Sequence, residues 1–161
     1  MADPSKYDAL RATKLAAELN DAQCQALAEV VTLRDLREGE VLVAEGSTDN
    51  HLYVIVRGVL GVVKGAGSPD AVTLHTLNPG DFVDELGFLD GTVYYASKVA
   101  LTETRVLGLE REKLEALLKT QPEAVYRVMR AIIRTVHQIQ RRLSMQSVEL
   151  TNYIYKQHGR Y

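Results

Sequence analysis

Between Leu33 and Leu109 the chain is cut into short, β-branched runs by turn residues, a punctuation that no all-helical fold accommodates. The runs are "VLVAE" (41–45), "LYVIV" (52–56), "VLGVV" (59–63), "AVTLHTL" (71–77), "YYASKVAL" (94–101) and "TRVLGL" (104–109). "REGE", "EGSTDN", "RG", "KGAGSPD" and "LNPGD" stand between them. Several short strands with turn signals at this spacing predict a small β-sandwich or barrel.

Helical patterns flank the β region. Leu10, Leu15, Leu19, Leu27, Val30 and Val31 recur at helical intervals, and Asn20-Asp21 breaks them into two short helices. After Leu109, "EREKLEALLKTQ" reads as a short amphipathic helix, and Thr120, Pro122 and Glu123 signal the start of a long one. Along that helix Val125, Met129, Ile132, Val136, Ile139, Leu143, Gln146, Leu150 and Tyr153 step by four and three, the period of a two-stranded coiled coil. The expectation is a parallel homodimer through Met129, Ile132, Val136, Ile139, Leu143, Gln146 and Leu150, with the flank of Tyr126, Ile133 and Gln140 packed on the β region. The rival is a helix folded back over its own barrel.

Charge divides along the same line. Residues 1–121 hold 12 Lys and Arg against 19 Asp and Glu, net −7, while residues 122–161 hold 7 against 2, net +5. The two parts attract, and no uniform nucleic-acid-binding charge is present. Arg127, Arg130, Arg134, His137 and Arg141 form a stripe on the long helix, read as a solvated outer face. No apolar run approaches the roughly 20 residues of a membrane span. The lone Cys24 has no partner in the chain, and the expected compartment is a reducing cytoplasm.

Catalytic chemistry finds no support in the residues. A metal-dependent jelly-roll enzyme needs a close His-x-His pair with a carboxylate and a third His, whereas His51, His75, His137 and His158 stand apart. There is no nucleotide-binding glycine loop, nucleophile elbow or paired-cysteine motif. The chain is expected to be no enzyme, with no catalytic residues, metal or cofactor.

The order of parts resembles the cyclic-nucleotide-binding domain of the catabolite-activator superfamily over roughly residues 15–147. The resemblance rests on "LREGEVLVAEG" (36–46), "HLYVIVRGVLGVV" (51–63), "LNPGDFVDELGFL" (77–89) and the spacing to "ASKVA" (96–100). It implies a mainly β fold with flanking helices: a helical lead-in over residues 1–32 and a jelly-roll barrel over 33–109. A short helix and a long dimerisation helix over 110–156 follow, then a tail over 157–161. In relatives that are transcription factors a helix-turn-helix domain comes next. Here the chain ends about a dozen residues beyond the seam, so no DNA-reading part is expected.

The resemblance also points to a site. In the family's phosphate cassette a Gly-Glu pair is followed about nine residues later by an Arg and a small residue. The Glu accepts from the ribose and the Arg neutralises the cyclic phosphate. Laid on this chain without a gap, the Gly falls on Asp84, the Glu on Glu85, the Arg on Tyr94 and the next residue on Tyr95, with Ala96 kept. The implied pocket comprises Asp84, Glu85, Leu86, Tyr94, Tyr95, Ala96, Ser97 and, from the long helix, Gln140. Loss of a bidentate Arg costs about 3 kcal/mol of phosphate affinity, and a carboxylate about 5 Å from the anion adds repulsion of the same order. The expected function is a non-enzymatic regulatory protein that does not take cyclic AMP in the family's way. It would act through dimerisation and contacts with a protein partner. Tyr94 and Tyr95 would plug the vacated space or form a stacking platform. The alternatives are a true receptor for a cyclic mono- or dinucleotide through altered contacts and a DNA-associated accessory subunit. The tail residues Tyr153, Tyr155, Lys156, His158, Arg160 and Tyr161 would pack on the barrel or recruit a partner.

Overall fold

The computed structural model describes residues 4–158. The lead-in is α1 (Pro4–Arg11), a 3₁₀ turn (Lys14–Ala16) and α2 (Asp21–Ala28). The Asn20 break works as a capping box: its side chain accepts from Gln23 N at 2.8 Å, and its own N–H donates to Gln23 Oε1 at 3.0 Å. The strands are β1 (Thr32–Leu36), β2 (Val41–Val43), β3 (His51–Arg57), β4 (Leu60–Lys64), β5 (Val72–Leu77), β6 (Phe82–Val83), β7 (Ser97–Ala100) and β8 (Thr104–Glu110). Between β6 and β7 lies α3 (Glu85–Asp90), and β8 runs into α4 (Arg111–Ala116), a 3₁₀ turn (Leu117–Lys119) and α5 (Pro122–His158).

Two antiparallel sheets, ordered β1-β8-β3-β6 and β2-β7-β4-β5, face each other as a jelly roll. Alternation along β3 explains its almost unbroken apolar run. Tyr53 and Ile55 point into the roll with Val106, Val83, Leu60 and Tyr94, while Leu52 and Val54 point outward under the helices. That outer layer unites Leu52, Val54, Leu107 and Leu109 with Leu10, Leu15, Leu27, Phe88, Val128 and Ile132. The lead-in and the first half of α5 are therefore one lid over the outer sheet face.

Three expectations change. Only the second half of "YYASKVAL" is a strand, because Tyr94 spends its backbone on the 46–47 loop: its N–H donates to Ser47 O at 3.0 Å and its carbonyl accepts from Gly46 N at 2.8 Å. The seam of α5 does not face outward in its first half: Ile132 is 0 % exposed, Val125 and Val128 are buried, and Met129 and Val136 pack against the same core. The flank expected to touch the β region is the open one, with Tyr126 62 % and Ile133 60 % exposed. A helix beside a large apolar sheet face buries its most apolar stripe there first. Finally, the basic stripe stays exposed at Arg130, Arg134, His137 and Arg141, as expected, but its first three arginines also reach the lead-in. Arg127 donates to Glu18 O at 3.0 Å, and Arg130 and Arg134 pair with Glu18 Oε1 at 3.3 and 3.2 Å.

A candidate ligand cleft between the roll and the long helix

Asp84 ends β6 and caps α3 with φ 63° and ψ 50°, the single non-glycine residue with positive φ among the described residues. This left-handed conformation is one glycine adopts freely and other residues do at a cost. It explains why the aligned family pattern has a glycine there. The bend turns the carboxylate inward over Gly87, so closely that a Cβ on Gly87 would lie 2.1 Å from Asp84 Oδ2. Asp84 Oδ2 is buried without a hydrogen-bond partner. Burial pushes its carboxyl above the ordinary range, against the opposing pull of Tyr94 and Lys98. Burial likewise raises Glu85, with the Asp84 charge adding to it.

Tyr94, fixed by its two backbone bonds, sends its ring into the roll, where it is 2 % exposed and belongs to the inner core. Its hydroxyl is buried and makes no hydrogen bond, and burial together with the nearby Asp84 carboxyl raises its pKa. Tyr95 faces the other way at 58 % exposure, its carbonyl accepting from Lys64 Nζ at 2.8 Å. The adjacent tyrosines thus separate into a plug and an open platform. Ala96 is buried, and Ser97 Oγ accepts from Glu45 N at 2.9 Å, a structural tie between β7 and the β2 end.

A cleft of about 910 Å³ opens between this region and α5. Asp84, Glu85 and Tyr95 line it; Tyr94, Ala96 and Ser97 do not. Gln140 is exposed and away from it, a correction to the expected edge-reader, and α5 instead contributes Thr135, Gln138, Ile139, Arg142 and Leu143. At 100° per residue, Gln138 lies on the side turned toward the roll and Gln140 does not. The side chains of Leu86 and His158 and the tail residues Arg160 and Tyr161 lie outside what is described. The described residues hold no cluster of three or more His, Cys, Asp or Glu arranged for a metal ion.

Sequence reasoning missed Lys98. It lies on β7 at 5 % exposure and lines the cleft, with Nζ 5.3 Å from the Tyr94 ring centroid and 5.1 Å from that of Tyr95. Burial lowers its pKa, while Asp84 and Glu85 pull the other way. The available signal was a lysine inside "ASKVA", an otherwise small and apolar strand.

Residues 33–121, which hold the two-sheet roll, α3 and α4, are matched by the model of the cyclic nucleotide-binding domain. The chain belongs to the cyclic nucleotide-binding domain family. The CRP-like cAMP-activated global transcriptional regulator of Mycobacterium tuberculosis is 24 % identical over 110 residues, covering 68 % of this chain and 49 % of that relative. The chain thus spans about half the length of that curated relative. Among solved structures, a cyclic nucleotide-binding domain from Methylobacillus flagellatus superposes with TM-score 0.72 at 21 % identity, covering 84 % of this chain and 76 % of that one. The regulatory subunit of a cAMP-independent protein kinase A from Trypanosoma brucei gives 0.65 at 22 %, covering 88 % and 49 %. These likenesses establish the fold. No helix among the described residues is long and apolar enough to cross a membrane.

Proposed function

We propose that this cyclic nucleotide-binding domain is a non-enzymatic, cytoplasmic regulatory module. It has lost the family's contact to cyclic AMP and passes its signal through a dimer of the long helix to a protein partner. The observation that carries the first half is Tyr94: a ring at 2 % exposure stands where the aligned family pattern has its phosphate-neutralising arginine. Asp84, with its orphan inward carboxyl oxygen, stands where that pattern has glycine. A phosphodiester entering the roll would have to displace a packed aromatic ring. A family neighbour described as cAMP-independent offers a parallel for such a loss.

For the dimer, the support is the face of α5 left open by the lid. Tyr126, Ile133, Leu143, Leu150 and Ile154 are all exposed, with exposed Gln140 and Ser147 and the half-buried Met129 and Val136, which also pack on the outer core, between them at steps of three and four. This is a seam displaced by one residue from the expected one on alternate steps, so Ile132, Ile139 and Gln146 leave it while Met129, Val136, Leu143 and Leu150 stay.

Calorimetry with cyclic AMP tests the reading. No heat is expected at micromolar nucleotide for the wild-type protein, and the pair Asp84→Gly with Tyr94→Arg should gain affinity by tenfold or more. Micromolar binding to the wild-type chain would overturn the proposal. Sedimentation equilibrium tests the dimer, with Leu143→Glu and Ile133→Glu expected to yield monomers.

A further inference from the structure

The exposed half of α5 is apolar on two faces, and the proposed dimer uses one of them. Residues 141–156 are all exposed, and among them Met145 at 61 %, Val148 at 59 % and Tyr155 at 73 % exposure stand outside the seam of Leu143, Leu150 and Ile154. Val148 follows Leu143 by five residues, and Tyr155 follows Leu150 by five. At about 100° per residue each lies about 140° around the helix from its seam neighbour, so a two-helix contact through Leu143 and Leu150 leaves both uncovered.

These residues form a seam of their own. Arg141, Met145, Val148, Asn152 and Tyr155 step by four, three, four and three, the d-a-d-a-d spacing of a helix that packs on another helix. Asn152 falls at an a position, where a single polar residue fixes the register of a helix pair. Charge says which helix fits. Exposed Arg134 and His137 continue the line of the strip toward the N-terminus at steps of three and four, and the ion pairs to the lead-in stop at Arg134, so Arg141 meets no carboxylate among the described residues. Between His137 and Lys156 three basic residues, Arg141, Arg142 and Lys156, stand against one acid, Glu149. A second copy of the same strip would set like charges against each other, and three cations fall short of the cluster of roughly four to eight that holds an anionic membrane surface. An acidic amphipathic helix meets both demands, with apolar side chains for Met145, Val148 and Tyr155 and carboxylates for Arg141 and Lys156.

We infer that the strip over residues 141–155 is a docking face for an acidic amphipathic helix of a protein partner, on the side of α5 turned away from the dimer seam. This face rests on the reading of the module as one that acts through a protein partner, and it does not depend on the loss of cyclic AMP.

Fluorescence anisotropy on the full chain tests it, with a labelled four-heptad peptide carrying Leu at a and d, one Asn at a, and Glu at e and g. The acidic peptide should bind in the micromolar range, and the same peptide with Lys at e and g should bind about tenfold more weakly or worse. Val148→Glu and Arg141→Glu should each weaken the acidic peptide about tenfold or more, whereas Leu143→Glu, on the dimer seam, should hold it within about threefold. Hydrogen exchange of the wild-type chain should show protection over 141–155 when the peptide is added, a readout that stands if a variant misfolds. No binding of the acidic peptide at about 100 μM, equal or tighter binding of the Lys peptide, loss of binding in Leu143→Glu, or tighter binding to vesicles of phosphatidylserine and phosphatidylcholine than to the peptide overturns it. Sedimentation of the same chains keeps the two readings apart. A Val148→Glu dimer that has lost the peptide upholds this face, and a monomeric wild-type chain that binds the peptide through Val148 refutes the dimer alone.

Discussion

Asp84 combines a left-handed backbone with an inward carboxyl oxygen that finds no partner. Both features cost stability, and they are expected to persist only where surroundings or function demand them. Asp84→Gly should therefore stabilise the fold by about 1 kcal/mol or more, read as a higher midpoint in urea. The close approach of Asp84 Oδ2 to Gly87 makes the two positions interdependent. Gly87→Ala should destabilise the wild-type chain and do much less in the Asp84→Gly background, a coupling that a double-mutant cycle measures. The acid also sets a pH dependence. Because burial raises the Asp84 carboxyl above 3.8 in the folded state, its contribution is fully present below pH 3.8 and is lost as pH rises through the higher folded value. The stability gained by Asp84→Asn should accordingly be larger at pH 7 than at pH 4 in paired denaturation curves.

Along α5 one continuous helix has two halves in different surroundings. Its first half is part of the lid, with Ile132 wholly buried among Leu15, Leu27 and Leu107 in the outer core. From Arg141 to Lys156 every residue is exposed, including Leu143, Leu150 and Tyr153. The helix is 37 residues long, about 55 Å at 1.5 Å per residue. Ile132→Ala should cost about 2–5 kcal/mol of unfolding free energy. Leu150→Ala should leave the unfolding of a dilute monomer within about 0.5 kcal/mol and act only on self-association. Thermal denaturation at low protein concentration, beside sedimentation, separates the two effects.

Across the molecule, the opposition of an acidic body and a basic helix is realised at one junction. Glu18 of the lead-in receives Arg130 and Arg134 of α5, and its backbone carbonyl receives Arg127. The Lys14 and Arg142 rims of the cleft sit on these same two segments. Glu18→Ala should lower the melting temperature by a few degrees, corresponding to about 1 kcal/mol for partly exposed pairs in a chain of this size. The difference between variant and wild type should shrink in 1 M salt, where the pairs are screened.

How the parts were legible follows from the range of the forces involved. The turn residues, the Asn20 cap and the long apolar period act over a few neighbours, so the jelly roll, the lead-in and α5 could be read from residue order. β6 and α3 could not: a two-residue strand carries no period, and a helix that starts from a left-handed aspartate hides its own start signal. The family resemblance singled out Asp84, Glu85 and Tyr95, which the fold gathers at the cleft, and Tyr94, which it seals inside. Which stripe of α5 turns inward, and that Lys98 rather than Gln140 reaches the cleft, was decided only when two distant surfaces met. An apolar or basic side chain records what it needs, but not which remote neighbour will supply it. That assignment depends on burial and desolvation, and both arise from the packed tertiary structure alone.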